Sequence, residues 1–82
     1  MKELLKFSAS WCGPCKSLSK NFQYVELGDV KLIEIDVDEH PQKAAQYNIR
    51  GVPTMILVED GLEVKRQSGV LMADKIEEFI ND

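Results

Sequence analysis

Two cysteines, Cys12 and Cys15, stand three positions apart in Ser10-Trp11-Cys12-Gly13-Pro14-Cys15-Lys16, beside the only tryptophan of the chain. On a helix that spacing puts two thiols on one face with Cβ atoms about 5–6 Å apart, so modest adjustment lets a disulfide open and close without refolding. Pro14 suits the first turn of a helix, where its missing N–H costs nothing. Cys12 then sits at the helix N-terminus, where unpaired N–H groups, the helix dipole and the neighbouring thiol favour a thiolate. Such a thiolate can attack a disulfide, form a mixed disulfide and be displaced when Cys15 attacks in turn.

Other uses of the pair fit less well. Zinc needs about four ligands, and this chain offers two cysteines and a single, sequence-distant His40. No metal site is expected. Two inert buried thiols would leave the intervening Gly13-Pro14 and the flanking Trp11 unexplained, whereas Cys-X-X-Cys beside a strand-helix-strand pattern is a redox signature.

The elements that must position the pair are legible in the pattern. Glu3 to Ser8 is an apolar run broken by Lys6, the form of a buried strand. After Pro14, apolar residues recur at Cys15, Leu18, Phe22 and Val25, a helical stripe that turns Cys15 to the core and leaves Cys12 facing out. Val30 to Val37 is β-branched and alternating, a second strand. Asp38-Glu39-His40-Pro41 opens a short helix ending by Tyr47-Asn48. Met55 to Glu59 and Leu62 to Ser68 are strands joined at Asp60-Gly61, a hairpin signal, and Gly69 interrupts the second. Met72, Ile76, Phe79 and Ile80 mark a last amphipathic helix. The order β-α-β-α-β-β-α implies one α/β domain over residues 1–82, a four-stranded mixed sheet with helices on both faces.

Composition bounds the partners. Fourteen acidic against ten basic side chains give a net charge of −4, with no basic cluster to neutralise a row of phosphates, so nucleic acid is excluded as a primary partner. MKELLKF lacks the apolar core of a signal peptide. Met55-Ile56-Leu57-Val58, the longest apolar run, is far too short to span a bilayer. A cytoplasmic protein is expected, and in a reducing compartment a cysteine pair is more readily catalytic than a permanent staple.

Trp11-Cys12-Gly13-Pro14-Cys15-Lys16 resembles the active-site motif of the thioredoxin family, and Ile49-Arg50-Gly51-Val52-Pro53-Thr54 resembles the loop carrying that family's cis-proline. Gly61 and Gly69 fall where the family has a hairpin-turn glycine and a groove-lining glycine. The resemblance implies a minimal thioredoxin fold lacking the usual N-terminal strand and helix. It implies a thiol-disulfide oxidoreductase that reduces protein disulfides, with Cys12 as nucleophile and Cys15 as resolving thiol. Trp11, Gly13, Pro14, Val52, Pro53 and Gly69 would form the surface that receives an extended substrate segment. No bound cofactor is implied beyond the dithiol itself. A thioredoxin-reductase-like flavoprotein would recharge it, oxidised proteins would be its substrates, and a monomer is expected.

The chain departs from the family at several positions. Where thioredoxins carry a buried Asp six residues before the first cysteine and a Lys on the adjacent strand, this sequence has Lys6 and Glu34, the two charges exchanged. One hypothesis pairs them beneath the dithiol and lets Glu34 take the proton from Cys15 during resolution; the other has both side chains snorkel to solvent. Lys20 replaces a kinking proline, so a straighter first helix is expected. Ser8 replaces a second tryptophan, His40 reads as a solvated turn residue, and Tyr47 as packing. Two further functions compete: a glutaredoxin-like protein recharged by glutathione, suggested by the short outline, and a binding or accessory subunit whose thiols are incidental.

Overall fold

A computed structural model describes residues 1–81 of the chain. Its elements run β1 (Lys2–Ser8), α1 (Gly13–Asn21), a 3₁₀ turn (Phe22–Tyr24), β2 (Lys31–Asp36), α2 (Pro41–Gln46), β3 (Thr54–Glu59), β4 (Leu62–Ser68) and α3 (Ala73–Asn81). The sheet order is β2-β1-β3-β4. β1 is central, parallel to β2 and antiparallel to β3, while β3 and β4 form the expected hairpin. Asp60 and Gly61 at its turn both take positive φ, 52° and 85°, the geometry of a tight turn between twisted strands.

Period-2 alternation sends the apolar residues of the two central strands to both faces of the sheet. Leu4, Met55 and Leu57 join Leu18, Ile76 and Ile80 beneath α1 and α3. Leu5, Phe7, Ile35, Ile56 and Val58 form the second layer, against which Tyr47 and Ile49 pack. Phe7 and Tyr47 meet with ring centroids 5.7 Å apart, so Tyr47 is a packing residue as expected. Each fully buried Leu, Ile or Phe here contributes about 1.5–3 kcal/mol of burial.

Several boundaries differ from expectation. The helix that begins at Gly13 does not run straight through Val25: it ends at Asn21 and tightens into the 3₁₀ turn. The stripe Cys15, Leu18, Phe22, Val25 is kept, with Phe22 and Val25 packed against the core from outside the α-helix. Val30 lies ahead of β2, its N–H spent on Leu27 O, and Val37 lies past it, bonded to Ser8 O. Gly69 follows β4 instead of interrupting it.

Candidate active site

The dithiol occupies the junction between the end of β1 and the start of α1. Cys12 is the N-cap of α1, in an extended conformation, and Pro14 lies in the first turn. Cys12 and Cys15 are joined as a disulfide with Cα atoms 5.3 Å apart. The Cys15 N–H donates to Cys12 Sγ at 3.1 Å. That donor belongs to the unpaired first turn of the helix, and it favours negative charge on Cys12 once the disulfide is opened.

The expected inequality of the two thiols is corrected at this point. Cys12 is only 4% exposed and Cys15 3%; in the oxidised state neither faces out. The reason is local packing that helix periodicity does not register. Ala9, Val37 and Val52 close over the pair, and Val52 O lies 3.8 Å from Cys12 Sγ.

Val52 arrives there from the loop between α2 and β3. Its bond to Pro53 is cis, and Pro53 is buried while Val52 is half-buried. The Gly69 N–H donates to Pro53 O at 3.0 Å, and Gly69 takes φ 93° to do so. Among the described residues the Val52 N–H has no backbone partner. Trp11 stands on the other side, 69% exposed, with its indole N–H donating to Asp38 Oδ2 at 2.8 Å. An apolar hollow of about 190 Å³ lies between Trp11, Val37, Ile49 and Val52. Gly13 and Pro14 are exposed at the tip of the helix. The sequence motifs Trp11–Lys16 and Ile49–Thr54 therefore meet around the disulfide, with Gly69 behind them.

Lys6 and Glu34 are register partners on β1 and β2 and form an ion pair, Nζ to Oε1 2.9 Å. Its two ends differ: the Lys6 side chain is 2% exposed and that of Glu34 63%. Glu34 reaches solvent, as one expectation had it. Lys6 does not snorkel, because Ser19 Oγ also accepts from its Nζ and the Phe22 ring lies 5.4 Å away. Desolvating an ammonium costs several kcal/mol, and these contacts offset it.

Two residues of the site escaped the sequence reading. Asp38, the partner of Trp11, follows β2 in a turn where Asp36 Oδ1 accepts the N–H groups of Asp38 and Glu39; no local pattern ties it to Trp11. Ser19 carries one signal, its place four residues after Cys15. His40 is exposed at the start of α2, as expected. Among the described residues no group of three or more His, Cys, Asp or Glu could hold a metal ion, and no helix is long and apolar enough to cross a membrane.

Comparison with known proteins converges on one family. The thioredoxin family model matches residues 1–82. The chain is 40% identical over 81 residues to thioredoxin of Mycoplasma genitalium, covering 96% of this chain and 79% of that one. It is 35% identical over 81 residues to thioredoxin of Bacillus subtilis, covering 95% and 78%. Among solved structures it is similar to a mutant thioredoxin from Halobacterium salinarum, with TM-score 0.88 and 38% identity over 96% of this chain and 71% of that one. Thioredoxin of Fasciola hepatica gives TM-score 0.88 and 33% identity, covering 96% and 77%. The likeness to thioredoxins thus runs over nearly the whole chain, and this protein, with its Cys12–Cys15 pair in that fold, belongs to the thioredoxin family, a thiol-disulfide oxidoreductase working by dithiol-disulfide exchange.

Proposed function

We propose that the single domain of residues 1–82 reduces protein disulfides, with Cys12 as the attacking thiolate and Cys15 as the resolving thiol. The observation that carries this assignment is the N–H of Cys15 aimed at Cys12 Sγ at 3.1 Å, which stabilises charge on Cys12 and not on its partner. Substrate lies in the groove of Trp11, Gly13, Pro14, Val52, Pro53 and Gly69. The unpaired Val52 N–H supports pairing with an extended chain there, in the manner of strand addition. Reduction of Cys12–Cys15 frees a thiolate, which attacks a substrate sulfur; Cys15 then attacks Cys12 and releases the reduced substrate.

Lys6 and Glu34 serve the proton step of resolution, with Glu34 as the solvent-side acceptor acting through water and Lys6 as the inner member of the pair. The electron donor is a flavoprotein reductase of the thioredoxin-reductase kind, the protein works as a monomer in the cytoplasm, and the dithiol is its only redox group. Family membership and the Gly-Pro loop favour this over recharging by glutathione.

The experiment is insulin reduction with Cys12→Ser and Cys15→Ser variants. Cys12→Ser should lose activity and form no mixed disulfide. Cys15→Ser should also lose turnover while accumulating a mixed disulfide through Cys12, visible by non-reducing gel and mass spectrometry. Trapping through the other cysteine would reverse the assignment, and unimpaired reduction by both variants would make the thiols incidental.

A further inference from the structure

Ser19 lies on the exposed side of α1 and accepts from the buried Lys6 ammonium near the dithiol, yet the exchange chemistry above gives it no part. An ammonium has donors and no acceptor, so in its contact with Lys6 Nζ the Ser19 oxygen must be the acceptor. Its own hydroxyl proton is thereby turned away from Lys6. Among the described residues no atom accepts that proton.

Ser19 lies one helical turn beyond Cys15 in α1, a spacing that sets side chains on the same face with Cβ atoms about 5–6 Å apart. Both residues line one cavity of about 230 Å³ between the end of β1 and α1, together with Ser8, Ala9, Ser10 and Lys16. A hydroxyl whose oxygen already accepts from the Lys6 ammonium, and whose proton has no protein acceptor among the described residues, therefore borders the space beside the resolving cysteine.

We infer that Ser19 is a positioning residue for resolution, its hydroxyl donating to Cys15 Sγ as that sulfur becomes a thiolate. This rests on the dithiol exchange proposed above. Cys15 loses its proton to water in the cavity, and Ser19 keeps its own. The Cys15 thiolate attacks Cys12 Sγ, the bond from Cys12 to the substrate sulfur breaks, and the electron pair leaves on that sulfur, which takes a proton from water. The protein ends oxidised as the Cys12–Cys15 disulfide and the substrate ends as a dithiol. The charged groups around Cys15 are Lys16 on α1, Lys6 on β1, and on β2 Glu34 behind Lys6 and Asp36 in register with Ser8. The Asp36 carboxylate is engaged by the N–H groups of Asp38 and Glu39.

The test mixes reduced protein with dithiobis-nitrobenzoate in a stopped-flow instrument. Attack by Cys12 releases one coloured thiolate and resolution by Cys15 releases the second, so the two steps are read separately. Ser19→Ala should leave the first release unchanged and slow the second about tenfold near neutral pH, the effect of one hydrogen bond to a charged group. The pH profile of the second release should move to higher pH, and Ser19→Thr should restore rate and profile. A second release unchanged in rate and profile would overturn the inference, as would equal slowing of both steps or failure of the Thr variant to rescue. If the parent protein gives no second release, the dithiol reading itself fails, an outcome distinct from these.

Discussion

Lys6 sets its ammonium inside the sheet face beneath α1, while its partner Glu34 stays in water. The two residues are thus unequal in what their loss exposes. Lys6→Met removes the desolvated charge and leaves a solvated carboxylate, so it should change stability by no more than about 1 kcal/mol in either direction. Glu34→Gln leaves the buried ammonium with Ser19 and the Phe22 ring alone and should cost about 1–2 kcal/mol, less than a fully buried broken pair because Glu34 is exposed. Urea unfolding of both variants checks the order. The same Glu34→Gln protein addresses the proton step, since its disulfide-reduction rate should lose part of its pH dependence. An unchanged profile would confine Glu34 to holding Lys6 in place.

At the scale of elements, the junction of β4 and α3 controls the groove through one backbone conformation. Gly69 holds φ 93° while its N–H donates to Pro53 O, and a Cβ there would meet nothing within 4 Å. Any penalty for a side chain at this position is therefore backbone strain and not a clash. Gly69→Ala should destabilise by about 1–2 kcal/mol and weaken substrate binding by displacing the Pro53 contact. Gly51, in the loop that carries Val52, has equally open space and no positive φ. Gly51→Ala should be neutral or stabilising by about 0.5 kcal/mol. Thermal melts with KM for a model disulfide distinguish the two, and equal losses would mean that the loop, not the Gly69 conformation, is the sensitive part.

For the whole molecule, surface charge has a small and signed influence on stability. The Arg66 guanidinium donates to both oxygens of Glu63 at 2.7 Å and thereby holds the Glu63 carboxyl below its usual range, while Glu63 raises Arg66. A carboxyl lowered by folding contributes stability that is present above its ordinary value and is lost as pH falls through the folded value. Both side chains are more than a third exposed, 38% for Arg66 and 35% for Glu63, so screening limits the contribution to about 0.5 kcal/mol or less. Glu63→Gln should lower the urea midpoint slightly at neutral pH, and the difference should vanish once acid protonates the parent carboxyl. A difference that persists in acid would assign the effect to packing instead.

The order of elements, the hairpin at Asp60-Gly61 and the two-sided core of β1 and β3 were determined by the sequence, because periodicity and turn chemistry act over a few neighbouring residues. The Cys12–Cys15 pair and the Val52-Pro53 loop were equally legible as motifs. Only the tertiary structure decided that both thiols are buried, since the atoms that cover Cys12 come from Val37 and Val52, far along the chain. It also decided how Lys6 and Glu34 divide their burial: alternation placed them on one face, but Ser19 and Phe22 of the α1 layer determine which end of the pair leaves water. Burial is a property of what packs on a face, and a strand pattern names the face without naming its neighbours.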